Sequence, residues 1–370
     1  MATAKTANGP AVGIETAASF NYYISARNIV NGEFGEDIGD VSFLRIPKGK
    51  IPTPEDRISQ ERWFVEVRDI ADSIGDHVLG PAGNVLVFVH GYNNTPETIR
   101  DRHETLQEYL AIEGWDGIVV SYDWPCGDST LNYLSDRSKA AETAHFLVDN
   151  GIRLIVEGQD KYKCQTNIHL LGQSTGAYVI MDAFANAQKI GDYYRKDWRV
   201  AQVAFIGADV AADSLDIDSD WCKPMFDRIM RLTNYSNGFD DVLAVSNAKR
   251  LGTSPRAGRV GLTANANPKA VNVDCSDYFA RLDPDSQSVH IGTWNHSWHI
   301  GNRVWTRDFA MTLEARYDRK VLPTREERNG RLVLIDGTRP PFEAQWRKLT
   351  DPVLSELRSP STAPEPYVPN

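Results

Sequence analysis

Four short, almost uninterrupted apolar runs dominate the chain: Val85–Val89, Ile118–Tyr122, Ile168–Leu171 and Val203–Ile206. Each is bounded by Gly, Asn or Asp, and longer segments of helical character lie between them. A strand with one wet face alternates apolar and polar residues, so runs without alternation belong to strands buried on both faces. Their alternation with helices restricts the chain to an α/β architecture, a mostly parallel central sheet covered by helices on both faces. Further strands are expected at Ile229–Asn234 and Val271–Cys275, with a hairpin over Val321–Ile335 turning at Asn329-Gly330. Ahead of these runs come two β-rich stretches, Phe20–Ala26 and Asp40–Ile46. A helix is predicted over 57–76, where Trp63, Val65, Val67, Ile70 and Ile74 recur at helical spacing.

Residues 1–18 are small and polar and are expected to be loosely ordered, and residues 336–370 form a Pro-rich tail running from Pro340 to Pro369. With no internal repeat and no rich linker, residues 19–335 read as a single domain. The net charge of −10 argues against nucleic acid or an anionic membrane surface as the main partner. No apolar run is long enough to span a bilayer, and the start lacks the apolar stretch of a signal peptide. Cys126, Cys164, Cys222 and Cys275 show no paired spacing, so a cytoplasmic protein with reduced thiols is expected.

The chemistry centres on Gly172-Gln173-Ser174-Thr175-Gly176, which follows the apolar run Ile168–Leu171 and opens a helical segment from Ala177. A strand–Ser–helix turn this sharp strains the serine and exposes its hydroxyl, making Ser174 the candidate nucleophile. A Cβ at either glycine would collide with the adjacent strand or helix. The N–H of Thr175 lies at a helix N-terminus, where unpaired donors and the helix dipole favour a developing oxyanion. A second donor is expected from the loop after an earlier strand. Val85–Val89 runs into His90-Gly91-Tyr92-Asn93-Asn94, which nominates the N–H of Tyr92, with His90 bracing the loop.

The run VLVFVHGYNN resembles the oxyanion loop of the α/β-hydrolase fold, and more narrowly that of the bacterial DUF900 family, which is described as esterase/lipase-like. Other segments resemble the family in the same order: Ser121–Gly127 with Asn132–Arg137, Gly207–Asp213, the acid-bearing loop Asn234–Ser246, and His296-Ser297-Trp298. The resemblance covers roughly residues 20–310. Gln173, Thr175 and Cys126 stand where such proteins usually have His, Met and Ser, which bears on substrate preference and on the geometry of the turn.

A serine hydroxyl becomes nucleophilic when a neutral histidine accepts its proton and an acid fixes that histidine's tautomer. In α/β-hydrolases the order along the chain is Ser, acid, His. Of eight histidines, His290, His296 and His299 follow both the turn and an acid loop. The resemblance selects His296. For the acid, Asp240 and Asp241 are adjacent, and extended backbone would point them to opposite sides. The family-like pattern, an acid three residues before Leu243 and six before Ser246, implies Asp240. Asp241 would then face solvent or cap the following turn, and Asp209 is the outside candidate. The spacing of His296 and His299 does not match the helical zinc motif, and neither metal nor cofactor is expected. Trp294, Trp298 and Trp305 read as packing residues, with one or two available to wall a pocket. Residues 211–229 and 247–288 are expected at the pocket rim.

The expectation is a serine hydrolase of carboxylic esters acting on a small-molecule ester through an acyl-serine intermediate. Ser174 attacks, His296 shuttles the proton, Asp240 orients the imidazole, and the amides of Tyr92 and Thr175 hold the oxyanion. The same residues are compatible with an amidase, thioesterase or lactonase of this fold, or with an inactive binding protein that keeps the cleft.

Overall fold

The computed structural model describes residues 19–74, 83–92, 94–126, 133–152, 154, 157–158, 166–190, 195–249, 254–287 and 291–339. Residues 1–18 and most of the Pro-rich tail lie outside this set. Among the described residues, eleven strands form one sheet. β1 (Phe20–Val30) and β2 (Glu33–Pro47) make an antiparallel hairpin, and β3 (Arg57–Ile58) adds a short outer edge. β4 (Asn84–Val89), β5 (Ile118–Asp123), β6 (Asn167–Gln173), β7 (Val200–Ile206), β8 (Ile229–Ser236) and β9 (Ala270–Asp274) run parallel to one another, and β1 joins β5 in parallel. β10 (Arg325–Arg328) and β11 (Arg331–Leu334) form the far hairpin. The order is β10-β11-β9-β8-β7-β6-β4-β5-β1-β2-β3.

Several boundaries differ from the expected ones: β1 runs on to Val30 and β2 begins at Glu33, so the first hairpin is longer than Phe20–Ala26 and Asp40–Ile46, and β8 and β9 end at Ser236 and Asp274. The first helix, α1, spans Gln60–Ile74 because Arg57 and Ile58 are drawn into the sheet by pairing with Leu44 and Phe43. The last hairpin starts at Arg325 rather than Val321 and turns at Asn329-Gly330 with φ of 51° and 73°. Two consecutive positive φ values make the tight primed turn that matches strand twist.

Successive residues of the central strands feed opposite cores, which explains why their sequences do not alternate. Val85, Ile118, Val120, Leu170, Val203 and Phe205 pack on one face against α1, α3 (Tyr133–Leu147), α4 (Thr175–Ile190) and the short α5 (Lys223–Arg228). Leu86, Phe88, Val119, Leu171, Ala204 and Ile206 pack on the other against α2 (Pro96–Ile112) and α7 (Arg303–Glu314), with α6 (Asp241–Lys249) lying between the last two in sequence. Each Val, Leu, Ile or Phe among them, fully buried, contributes roughly 1.5–3 kcal/mol. Among the described residues no helix is long and apolar enough to cross a membrane.

The strand order fixes where a site forms. From β4 the chain steps outward to β5, then returns to place β6 on the opposite side of β4. Such a switch point leaves a crevice beyond the carboxyl ends of the strands. Because β4, β6, β7 and β8 are parallel, the loops beginning at His90, Ser174, Gly207 and Asn237 all emerge on that edge.

Candidate active site

Ser174 occupies the junction of β6 and α4 with φ of +54°. A non-glycine residue there stores roughly 1–3 kcal/mol of strain and persists only where its surroundings fix it. Backbone bonds do so. Its N–H donates to Ile206 O at 2.9 Å, and its carbonyl accepts from Ala177 and Asp209, each at 3.1 Å. Two glycines allow the close approach: a Cβ on Gly176 would lie 2.1 Å from Val89 O, and one on Gly91 2.7 Å from the Ser174 Cβ. Thr175 is the first residue of α4, where N–H groups have no acceptor within the helix. Tyr92 lines the same pocket as Ser174 and Thr175.

His296 and Asp240 come together beside it. His296 Nδ1 lies 2.6 Å from Asp240 Oδ2, and both residues are buried. A carboxylate only accepts, so Nδ1 carries a proton, and in the neutral ring Nε2 is then the acceptor. Asp240 Oδ1 accepts from Leu243 N–H at 3.0 Å, which caps the N-terminus of α6. The Arg259 guanidinium donates to the Asp240 carbonyl, and Asn237 Nδ2 donates to Asn295 O at 3.0 Å, tying the acid loop to the histidine loop. The imidazole packs on Gly207, where a Cβ would lie 2.9 Å from His296 Cε1. No hydrogen bond among the described residues joins Ser174 Oγ to the His296 ring. Contacts of this kind are often long until substrate is in place.

The alternative residues have other partners. Asp241 is exposed and accepts from Asn295 Nδ2 at 2.8 Å. The cap expected of it belongs to Asp240, because the chain enters α6 one residue earlier. Asp209 is buried and accepts from Ser246 Oγ at 2.9 Å, with Arg256 Nε at 3.5 Å. His299 stacks on Trp298 at 4.2 Å, and burial pushes its pKa well below the usual histidine value. His290 lies outside the described residues. Trp298 and Trp305 are fully buried in the core, and Trp294 packs on Phe279.

The loop after β4 is braced as expected of His90, and by partners the sequence reading missed. His90 stacks on Trp124 with a ring separation of 5.5 Å, accepts the Trp124 backbone N–H at 3.1 Å through Nε2, and contacts Gly91 O at 2.7 Å through Nδ1. Behind it, Arg27 Nε donates to Asp123 Oδ1 at 2.9 Å, and Arg27 Nη2 reaches Asn94 O at 3.2 Å. Burial alone would raise the Asp123 pKa, but the Arg27 guanidinium beside it holds it down to about 2. The Asn94 N–H also donates to Cys126 Sγ at 3.4 Å. Cys126, Cys222 and Cys275 are free thiols, while Cys164 lies outside the described residues.

A pocket of about 340 Å³ opens over Ser174, walled by Tyr92, Thr175, Val242, Leu243 and Val245, with Asp209, Asp241 and Asn295 at its polar side. That volume falls in the small-molecule range of roughly 300–1,000 Å³. Besides Tyr92, Ser174, Thr175 and Asp209, the described lining comes from the first turns of α6 and from Thr293 and Asn295, not from residues 211–229 or 247–288, and includes none of the three tryptophans. Asp240, hydrogen-bonded to His296, immediately precedes α6, so the first turns of that helix share the pocket with the serine.

The model of the family described as "Alpha/beta hydrolase of unknown function (DUF900)" matches residues 69–273. Among solved structures, the chain is similar to a cutinase-like protein from Cryptococcus sp. at 14% identity and a TM-score of 0.32, covering 63% of this chain and 93% of that one. It is similar to a hormone-sensitive lipase from a metagenome library at 14% identity and a TM-score of 0.34, covering 64% and 79%. Carboxyl esterase 2 from Tuber melanosporum is similar at 10% identity and a TM-score of 0.36, covering 84% and 89%. No curated protein matches the sequence.

Proposed function

Because this chain belongs to the DUF900 family of α/β-hydrolases and has the α/β-hydrolase fold, we propose that it hydrolyses carboxylic esters through an acyl-serine intermediate. Ser174 Oγ attacks the acyl carbon as its proton passes to His296 Nε2, which the Asp240 contact at Nδ1 leaves free to accept. Asp240 stabilises the imidazolium, and the amides of Tyr92 and Thr175 receive the oxyanion. The tetrahedral intermediate collapses as His296 returns the proton to the leaving alcohol. Water then attacks the acyl-serine with His296 as base, releasing the acid and restoring Ser174.

The observation that carries this reading is the buried 2.6 Å contact between Asp240 and His296 on the same sheet edge as a strained serine. The pocket wall favours an uncharged, apolar acyl group: Val242 and Val245 line it and are themselves exposed, and Phe239 stands exposed just before α6.

A fluorophosphonate probe together with p-nitrophenyl esters of increasing chain length tests the proposal. The wild-type protein should be labelled and turn over esters, and a folded Ser174→Ala variant should do neither. Full activity in Ser174→Ala removes the reading, and a wild-type protein that neither labels nor turns over ester supports the binding-protein alternative.

A further inference from the structure

We propose that Arg102 is a positioning residue that locks the Ser174 turn and the His296 loop into one register. The inference rests on the serine-hydrolase reading of the site. Arg102 comes from α2, far from both loops in sequence, and is buried. Its Nη1 donates to the side-chain oxygen of Gln173, the residue before Ser174. Its Nη2 donates to Ser297 Oγ, one residue after His296, and to Ile291 O, both at 3.3 Å. Gln173 Nε2 closes the triangle by donating to Ser297 Oγ at 3.3 Å. The guanidinium also packs on Gly292, where a Cβ would lie 2.7 Å from Nη2.

The charge is what marks this cluster. Every hydrogen-bond partner of Arg102 among the described residues is neutral, and its Nε has none. Burial pushes the guanidinium pKa down to about 10, so it stays charged near neutral pH. A buried cation with no counter-ion among the described residues is costly, and a cluster made apolar on both sides would hold the fold at least as well. Only the planar fork of an arginine reaches all three neutral acceptors at once, and a lysine supplies a single point of donation. Gln173 suits the same geometry, because its amide accepts from Arg102 on one side and donates to Ser297 on the other.

Arg102→Met, Arg102→Lys, Gln173→Leu and the Arg102→Met/Gln173→Leu double variant test the proposal by kcat, KM and thermal midpoint. Arg102→Met removes the buried charge but orphans its three neutral acceptors, so its midpoint should fall modestly, while the double variant, apolar on both sides, recovers most of it. Each should lose on the order of 10²-fold in kcat, the scale of a loss of about 1 Å in alignment, while KM stays within about threefold because the pocket wall is untouched. Arg102→Lys should not restore kcat. The double variant should lose no more than the worse single variant, because residues of one network are not additive. In proton NMR, the low-field signal of His296 Nδ1–H should broaden or shift in Arg102→Met, a readout that does not depend on turnover. Wild-type kcat with an unchanged signal in Arg102→Met overturns the proposal. So does a double variant whose kcat recovers together with its midpoint, or one whose losses are additive. If the wild-type protein shows no turnover, the hydrolase reading fails, and the NMR signal still decides the clamp.

Discussion

Asp240→Asn is the perturbation that separates chemistry from stability most cleanly. The two carboxylate oxygens have different partners: Oδ2 accepts from His296 Nδ1 at 2.6 Å and Oδ1 accepts from Leu243 N–H at 3.0 Å. An asparagine keeps the carbonyl that caps α6 but turns an NH₂ toward the imidazole. Two donors cannot face each other, so the ring takes the tautomer with Nε2 protonated, which cannot accept the Ser174 proton. The expected loss in kcat is about 10³–10⁴, or about 4–5.5 kcal/mol. The thermal midpoint should hardly move, since the cap survives and a neutral amide is easier to bury than a carboxylate. Asp240→Ala should be as inactive and also less stable, by about 1 kcal/mol for the lost cap and by about 1–3 kcal/mol for the orphaned Nδ1 donor. Asp241→Asn, at an exposed residue, and Asp209→Asn, whose partners are Ser246 and Arg256, should each cost less than about tenfold in kcat. The measurements are kcat on p-nitrophenyl butyrate at pH 7 and the midpoint of unfolding for each variant. An active Asp240→Asn enzyme beside an inactive Asp241→Asn or Asp209→Asn one would refute the assignment of the acid.

The brace behind the oxyanion loop has a pH signature. The folded-state pKa of Asp123, about 2, lies below its ordinary value of 3.8, so its contribution, on the order of 2 kcal/mol, is present above about pH 4 and lost as pH falls through about 2. Asp123→Asn, which leaves Arg27 unpaired, should destabilise the protein at pH 7 by at least that much and flatten the fall of the midpoint between pH 4 and pH 2; an unchanged acid limb would contradict this account. For the pocket wall, Val245→Asp removes about 1 kcal/mol of apolar contact from a half-exposed side chain, so kcat/KM for an octanoate ester should fall about fivefold while that for acetate stays within about twofold. Equal losses on both esters would show that Val245 does not meet the acyl chain.

The fold was legible because strands covered on both faces leave a sequence mark that little else imitates. The Ser174 turn was legible for the opposite reason, being entirely local: glycines two residues to either side of the serine, between an apolar strand and a helix. Asp240 and Asp241 could not be separated by local pattern, since burial of one of two adjacent carboxylates depends on where α6 starts and on which side the histidine loop arrives. The brace of Arg27 and Asp123 joins residues almost a hundred positions apart and leaves no motif. Arg102 did leave a signal. The buried stripe of α2 reads Ile99, Arg102, His103, Leu106 and Leu110, and a charge at an apolar position of a helix needs a reason.

That reason is sharpened by how the molecule treats its other buried arginines. Arg27 pairs with Asp123, Arg256 faces Asp209, and Arg325 is held by Asp308 with Thr312 and Tyr235 completing its shell. Arg228, the last residue of α5, rests on the Trp198 ring and donates to the carbonyls of Lys196 and Trp198, a favourable place for a cation at a helix C-terminus. In each case charge, ring or dipole offsets the burial. At Arg102 the described partners are neutral and one donor is left over, and the cluster touches the neighbours of both Ser174 and His296. Strain at Ser174 and an unbalanced cation behind it are two separate costs placed on one sheet edge. A fold under selection for stability alone would shed both, because Ser174→Gly relieves the backbone and apolar residues at Arg102 and Gln173 together remove the charge and the amide it serves. Their coincidence is what a site under selection for alignment retains, and it predicts that the stabilising substitutions at these positions are the ones that cost activity.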